Sequence, residues 1–277
     1  MSDLAIPAGF VRHGGPQGEI LVVRSGDAAA ALAGGLDRRA TWESVLRGAP
    51  RAGRGGVGRV ALADGRSWVL KAMHRGGLAG ELWRNRFLGT ARLIANLEIP
   101  GIVRERGVAT PAPTALLLVA GPRRLWRAWL ATEEIAGGRD LLQVLAQHPP
   151  DAEARACDAV RAMREAHDAG LRHPDLHLGN FLVRADSRRP WILDLDGASW
   201  SPQPPKLDAR RQAMRRLARS YLKRFGEHGP LAAGYFDRWV DAYAEGHPEW
   251  RAVLARETLL DRVALAFRKL IWPAAER

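Results

Sequence analysis

The segment "RHPDLHLGNFLVRADSRRPWILDLDGAS", residues 172–199, places carboxylate and amide side chains beside two short apolar runs. The runs FLV and WIL predict two β-strands, and the polar residues 184–190 between them predict a turn. In such a hairpin the start of the first strand lies beside the end of the second. Asn180 and Asp194 are therefore expected to meet at one end, with Asp175 just upstream in the same loop.

These three side chains suit phosphoryl transfer. The oxygens of Asn180 and Asp194 are hard ligands for a Mg²⁺ ion that carries phosphate oxygens. The carboxylate of Asp175 would accept a proton from an attacking hydroxyl. Alternatively, Asp175 is a helix cap, Asn180 a turn residue and Asp194 a polar strand end. Each alternative is ordinary alone, but the features upstream favour the functional interpretation of all three.

A glycine-rich hairpin precedes this segment by about 100 residues. A glycine cluster, a short apolar run, an Asp-Gly turn and the run WVLKAM predict two paired strands. The second strand contains Lys71, the only lysine before Lys206 in a chain with four lysines among 42 basic residues. This rarity indicates a need for a compact ammonium group. A lysine stem lying along a sheet edge is an equally good interpretation of this fact alone.

The pattern of elements changes at Gly137 and Gly138. Before them the chain predicts strands, including TALLLVAG and RLWRAWLATEEI, and one substantial helix from about residue 81 to 106. After them it predicts helices, interrupted by the hairpin of residues 172–199. The sequence thus predicts a two-lobed α+β fold, with a β-rich N-lobe (1–136) and a helical C-lobe (137–277).

The order of these parts resembles the protein-kinase-like phosphotransferases, which have a glycine-rich loop, strand lysine, helix glutamate, D-x-x-x-x-N loop and metal aspartate. More narrowly, GRGG, LKAMHRGGL, GVATPAP, TEEIAGG, LRHPDLHLGNFLV and WILDLDGA together resemble the lipopolysaccharide core kinases. These are the 3-deoxy-D-manno-octulosonic acid (Kdo) kinase and heptose kinase family. The resemblance runs from about Gly53 to Leu222 and implies a protein-kinase-like fold, ATP as phosphoryl donor and Mg²⁺ as metal.

The resemblance implies a role for each matched residue of the C-lobe. Asp175 would orient and deprotonate the acceptor hydroxyl, and Asn180 and Asp194 would hold Mg²⁺ against the nucleotide phosphates. His173 would brace the loop.

In the N-lobe, Lys71 would contact the phosphates and pair with a glutamate of the following helix. Glu98, nine residues before Gly107, is the first choice for that glutamate, and Glu81 is the alternative. Pro100, so soon after Glu98, puts the helix geometry in question.

Further positions would contact the nucleotide. Residues Glu133 to Ile135 would form the hinge whose backbone meets adenine, or only an interlobe linker. Asp140 would touch ribose or cap a helix. Four glycines would let backbone amides approach phosphates, or would serve a tight turn: Gly53, Gly55, Gly56 and Gly58.

Differences from the protein kinases limit the kinds of molecule that can be the phosphoryl acceptor. This chain has His173-Pro174-Asp175 where they have H-R-D, so the arginine that reads a phosphorylated activation loop is missing. Only 13 residues separate Asp194 from the helix predicted near Asp208, without an A-P-E motif. A protein acceptor is disfavoured, and a sugar or other small hydroxyl compound remains. LKAMHRGGL and TEEIAGG favour Kdo, with heptose next.

The net charge of +12 calls for a polyanionic partner. Residues 208–225 predict a helix with one apolar and one strongly basic face, which would attract anionic lipid or the phosphates of a glycolipid. A solvated helix is the alternative, and FRKLIWP near the C-terminus is a second candidate contact. The expected partners are a lipid-linked core sugar and the anionic inner-membrane surface, with no nucleic acid.

Composition sets the remaining bounds. With 277 residues, 47% of them apolar, the chain predicts a globular protein, and its longest aliphatic stretch, 115–120, is too short to span a bilayer. No secretory signal is apparent. Cys157 is the only cysteine, which excludes an internal disulfide. A cytoplasmic protein, peripheral on the cytosolic face of the inner membrane, is expected. Two alternatives to a lipopolysaccharide core kinase remain. One is a kinase of a small molecule or protein, and the other is a catalytically silent basic module that binds membranes or nucleic acid.

Overall fold

The computed structural model describes residues 4–48, 56–74, 86–122, 125–226 and 229–256. The chain forms two compact units. The first contains Met1–Arg104 and Pro111–Ala136, and the second contains Glu105–Thr110 and Gly137–Arg277. The first unit is built on a β-sheet and the second mainly on helices, as the α+β class requires.

A seven-stranded sheet forms the first unit, in the order β1-β2-β6-β7-β4-β3, with β5 paired to β7. All neighbouring strands are antiparallel. The strands TALLLVAG and RLWRAWLATEEI predicted from sequence are the central pair β6 and β7. The seven strands are β1 (Phe10–Gly14), β2 (Ile20–Arg24), β3 (Val57–Ala61), β4 (Ser67–Ala72), β5 (Phe87–Leu88), β6 (Pro113–Ala120) and β7 (Leu125–Glu133).

Each face of this sheet is covered by helix. Helices α1 (Ala28–Ala33) and α2 (Arg39–Arg47) lie on one face, where Trp42 is fully buried and its indole N–H donates to the Leu36 carbonyl over 2.8 Å. Residues before 50, which have no apparent role in the sequence, therefore supply two strands and this cover.

Helix α3 (Ala91–Glu105) packs on the opposite face through Leu93, Ile94 and Leu97. The helix is continuous through the buried Pro100, which lacks an N–H to donate to the preceding turn. The part of the predicted helix from residue 81 to 85 lies outside the residues that the structure describes.

The second unit combines helices with two small sheets. The order β11-β10-β8 forms one sheet, and β9 pairs with β12 in the other. Its strands are β8 (Arg139–Asp140), β9 (Leu171–Arg172), β10 (Phe181–Arg184), β11 (Ser187–Ile192) and β12 (Ser199–Trp200). Its helices are α4 (Leu141–Leu145), α5 (Ala152–Asp168), α6 (Leu207–Phe225), α7 (Tyr235–Tyr243) and α8 (Arg251–Ala255).

Helix α6 contains the predicted helix of residues 208–225, but its outer face is not strongly basic, contrary to the prediction. Arg210 and Arg211 are only 5% and 7% exposed. The Arg210 guanidinium bonds to Asp168 over 2.5 Å, donates to the Pro205 carbonyl over 2.9 Å and lies over the Trp250 ring. Spacing alone could not separate these internal arginines from solvated ones, because arginine buries its stem wherever its guanidinium finds acceptors.

Other basic residues of α6 also have internal partners. Arg215 donates to the Ala255 carbonyl and lies over the Phe236 ring. Among the basic residues predicted for this face, Lys223 and Arg224 are the exposed ones. The basic surface of α6 is therefore much smaller than the sequence predicts.

Buried histidine His167 gives the second unit a testable acid sensitivity. It lies on α5, 5% exposed, with Nδ1 2.6 Å from the Tyr243 hydroxyl. Burial, and secondarily the charges of Arg210 and His173, lower its pKa from 6.5 to about 3. Below pH 6.5 the unfolded chain takes up a proton that the folded chain does not accept until about pH 3. The free energy of unfolding should therefore fall as the pH drops through this window.

Thermal melts from about pH 7 down to about pH 5 should show a loss near 2 kcal/mol from this residue by the lower pH. The variant His167→Gln, which keeps a hydrogen-bonding side chain, should lose less stability over the same range. Equal slopes in the two proteins would contradict this account of the buried imidazole.

Candidate active site

The hairpin of residues 172–199 forms as predicted, with a tighter turn. Strands β10 and β11 are antiparallel, with Phe181 opposite Ile192, and the Leu193 N–H donates to the Asn180 carbonyl over 2.8 Å. This bond brings the start of β10 to the residue that precedes Asp194. The expected turn 184–190 is wrong in length, because Ser187–Ile192 already pair as β11.

Asn180 is fixed in the loop by its own amide. It is 8% exposed and ends the 3₁₀ turn Leu178–Asn180. Its Nδ2 donates to the backbone carbonyl of Asp175 over 2.9 Å. The bond orients the amide group and leaves its oxygen as the atom that can serve a ligand.

His173 connects the two halves of the site. Its Nδ1 accepts the backbone N–H of Asp175 over 3.2 Å, so the ring proton belongs on Nε2, which lies 3.4 Å from the Leu193 carbonyl. Burial lowers the pKa of His173, which favours this neutral form. One imidazole thus ties the residue adjoining Asp194 to the loop that carries Asp175.

The two carboxylates of the site are accessible. Asp175 and Asp194 are both exposed, in contrast to the buried Asn180. Asp194 has φ +57°, in the left-handed region, which few residues other than glycine adopt and which aspartate tolerates better than most. A strained backbone directly after the strand turns the chain at the position predicted to bind metal.

Helix α6 supports this loop through two residues that the sequence analysis did not place in the site. Ser220 Oγ accepts the Leu178 N–H over 3.2 Å and donates to the Leu217 carbonyl over 2.7 Å. Arg216 donates to the His173 carbonyl over 3.4 Å. No local pattern signals these contacts, because they depend on where α6 packs.

In the first unit, Lys71 lies on β4, between β3 and β7. It lies opposite Val57 of β3 and Leu130 of β7, half-buried, on the sheet face that α3 covers. Glu98 is exposed on α3, whose buried side includes Leu97. The structure thus places Glu98 on the solvent side of its helix, and the alternative Glu81 lies outside the described residues.

The predicted phosphate-binding glycines fall in different environments. Gly53 and Gly55 lie outside the residues that the structure describes, and Gly56 immediately precedes β3. Gly58 is buried inside β3, where an added Cβ would lie 2.5 Å from Val45 Cγ1 of α2. Close packing of α2 therefore gives Gly58 a structural reason to be glycine.

Strand β7 ends at the predicted hinge. The N–H groups of Glu133 and Glu134 donate to the carbonyls of Ala112 and Ser67 over 2.9 and 3.0 Å. The next backbone donor along the chain is that of Ile135, the last residue of the segment 133–135 whose backbone is predicted to meet adenine.

Asp140 follows the hinge and has the capping role that the sequence offered as one alternative. Its side chain accepts the Leu142 N–H over 2.7 Å as the N-cap of α4. Burial raises the pKa of its carboxyl group.

The donor set of the hairpin suits magnesium. Among the described residues no group of three or more His, Cys, Asp or Glu side chains could hold a metal ion. Mg²⁺ commonly takes one or two protein oxygens and completes its shell with water and phosphate. The Asn180 amide oxygen and the Asp194 carboxylate fit that requirement.

The sheet-based first unit and the largely helical second unit form a protein-kinase-like fold. A solved structure described as WaaP in complex with acyl carrier protein has this fold, with a TM-score of 0.56 and 24% identity over 90% of this chain and 97% of the other. The family model for the lipopolysaccharide kinase (Kdo/WaaP) family matches residues 40–233. The chain belongs to that family and is a phosphotransferase that acts on a sugar hydroxyl group.

Two relatives illustrate the similarity in sequence. The 3-deoxy-D-manno-octulosonic acid kinase of Vibrio cholerae is 29% identical over 171 residues, 58% of this chain and 68% of that protein. The protein of the same description from Xanthomonas oryzae pv. oryzae is 31% identical over 187 residues, 66% of this chain and 72% of the relative. No helix in the described ranges is long and apolar enough to cross a membrane.

Proposed function

We propose that the chain transfers the γ-phosphoryl group of ATP to a hydroxyl of Kdo on a lipid A precursor. The observation that carries this proposal is the arrangement of Asp175, Asn180 and Asp194 around His173, in a chain whose relatives include Kdo kinases. A protein acceptor is disfavoured by the short segment after Asp194.

Asp175 accepts the proton of the sugar hydroxyl as its oxygen attacks the γ-phosphorus. The new O–P bond forms as the bond between the γ-phosphorus and the bridging oxygen breaks, and ADP leaves with that oxygen. Asn180 and Asp194 would hold Mg²⁺, which would neutralise charge on the phosphates. His173 and Ser220 keep the loop in place through the bonds described above.

The first unit supplies the remaining nucleotide contacts in this proposal. Lys71 contacts phosphate oxygens, Gly56 brings a backbone amide close to them, and Ile135 meets adenine through its backbone. Glu98 is a poor partner for Lys71 because it is exposed on the solvent side of α3. We therefore assign that partner role to Glu81.

Heptose of the same core is the second candidate acceptor, because the family resemblance covers kinases of both sugars. Acceptor selectivity separates the two. Purified protein would be assayed with Mg-ATP and acceptors ending in Kdo or in heptose, and kcat/KM compared. We expect a preference of at least about tenfold for Kdo, equivalent to roughly 1.4 kcal/mol of transition-state binding. A reversed ratio would replace Kdo with heptose, and transfer only to a free small hydroxyl compound or a protein would overturn both.

A lipid-linked acceptor implies work at a membrane surface, and we propose the cytosolic face of the inner membrane. The net charge of +12 supports attraction to anionic lipid, although α6 contributes less of that surface than the sequence predicts. Presenting the acceptor in neutral and in anionic vesicles in the same assay tests this, and equal KM values would count against it. An acyl carrier protein is a second candidate partner, suggested by the WaaP complex. If no such protein co-purifies with the chain, the proposal of a carrier-protein partner fails.

A further inference from the structure

A charged cluster lies at the end of the sheet where β7 leaves for the hinge. It consists of Arg24, Asp27, Arg66 and Glu133, here called the hinge network. Arg24 ends β2 and Glu133 ends β7, while Arg66 immediately precedes β4, whose Trp68 pairs with Glu133. Side chains from β2, β7 and the residue before β4 therefore meet at one end of the strands.

Asp27 is the centre of the hinge network. Its side chain is 3% exposed, so a carboxylate there needs positive partners. It has two: Arg24 Nε at 2.5 Å from Oδ2 and Arg66 Nη1 at 2.6 Å from Oδ1. Both oxygens are thus engaged by guanidinium groups, one at the end of β2 and one in the β3–β4 turn.

Arg24 links the buried Asp27 to the hinge residue Glu133. Its Nη2 lies 2.7 Å from Glu133 Oε1, reaching past β6, which separates β2 from β7 in the sheet. The neighbouring Glu134 pairs with Arg59 of β3. The two residues before Ile135 are therefore each held by an arginine, while their N–H groups are held by backbone carbonyls.

We propose that Arg24 and Asp27 are positioning residues for the nucleotide. They act through Glu133 to hold the Ile135 backbone where adenine binds, an inference that rests on the proposed ATP-dependent function. Both residues precede the span 40–233 that matches the family model. The N-terminal strands and turn thus contribute to the nucleotide site as well as to the fold.

The physical reason is the orientation of one guanidinium by two carboxylates. Asp27 engages Nε and Glu133 engages Nη2, so the position of Glu133 is set relative to a buried group. Without the Asp27 charge, Arg24 could bond Glu133 from many side-chain conformations. The position of Glu133, and with it the hinge backbone, would then no longer be fixed. Binding of adenine would then have to order the hinge, which weakens affinity.

The test compares two isosteric changes that each remove a carboxylate from Arg66. Asp27→Asn breaks the hinge network, whereas Asp64→Asn removes only the partly exposed partner that Arg66 bonds at 2.6 Å. The affinity of the full-length protein for Mg-ATP would be measured by calorimetry, together with KM for ATP and kcat. Asp27→Asn should weaken nucleotide binding about tenfold with little change in kcat. Asp64→Asn should leave all three values unchanged.

A further variant covers the case in which Asp27→Asn does not fold. Arg24→Gln keeps the pair of Asp27 with Arg66 but cuts the link to Glu133, and should raise KM for ATP to a similar extent. Unchanged nucleotide affinity in a folded Asp27→Asn or Arg24→Gln protein, even with a lowered melting temperature, would overturn the inference. If wild type binds Mg-ATP but phosphorylates no sugar, the proposed acceptor is wrong. The comparison of Mg-ATP affinities still tests the role of Arg24 and Asp27 in that case.

Discussion

Asp175→Asn is expected to lower kcat by about 10²- to 10⁴-fold while leaving Mg-ATP affinity within a few-fold of wild type. Asparagine keeps the size of the side chain but cannot accept the proton of the attacking hydroxyl. The loop should keep its shape, because its hydrogen bonds use the backbone of residue 175: its N–H donates to His173 and its carbonyl accepts from Asn180. Single-turnover transfer of labelled γ-phosphate, with calorimetric titration of Mg-ATP, measures both quantities.

The matched control for this change is Asp186→Asn. Asp186 is an exposed carboxylate in the turn of the same hairpin, bonded to Arg184 over 2.8 Å, and it has no proposed contact with substrate. It should retain wild-type kcat. An Asp175→Asn protein that remains folded and keeps more than about a tenth of the wild-type rate would contradict the assignment of Asp175 as general base.

Asp194→Asn should lower activity by about 100- to 1,000-fold and raise the magnesium concentration needed for the half-maximal rate. Asparagine is the appropriate replacement because, like aspartate, it tolerates the left-handed backbone of φ +57° seen here. The variant loses the negative charge that attracts Mg²⁺ but retains an oxygen. Raising the magnesium concentration should therefore restore part of the rate, as initial rates over a magnesium titration would show.

Nucleotide affinity supplies a second test of the role of Asp194. In wild type, ATP should bind more tightly with Mg²⁺ than with a chelator, and this difference should nearly disappear in Asp194→Asn. Asp196→Asn, two positions later, should retain most of the wild-type activity and magnesium response. The metal assignment is wrong if Asp194→Asn responds to magnesium as wild type does.

Local patterns in the sequence predicted the parts of this molecule that local chemistry determines. Two apolar runs around a polar turn identified the β10–β11 hairpin, and the antiparallel pair β6–β7 was identified in the same way. The spacing from Asp175 to Asn180 indicated a shared loop, and the structure joins these two residues by a 2.9 Å hydrogen bond.

Features that depend on tertiary packing could not be predicted in this way. Arg210 on α6 has the spacing of a solvent-facing residue, yet it is buried because Asp168 and the Pro205 carbonyl satisfy its guanidinium. Gly58 has the spacing of a phosphate-binding glycine, yet the close approach of α2 explains it. Ser220 had no signal at all, since its partner in the catalytic loop is 42 residues away in sequence.

The most direct test of the central claim is mass spectrometry of a Kdo-bearing lipid A precursor after incubation with the purified protein and Mg-ATP. The account predicts a product heavier by one phosphoryl group, with the phosphate on a Kdo hydroxyl, and no such product with Asp175→Asn. Phosphate on a different sugar would contradict the Kdo assignment. An unmodified Kdo lipid in the presence of protein that binds Mg-ATP would contradict the claim that Kdo is the acceptor of this site.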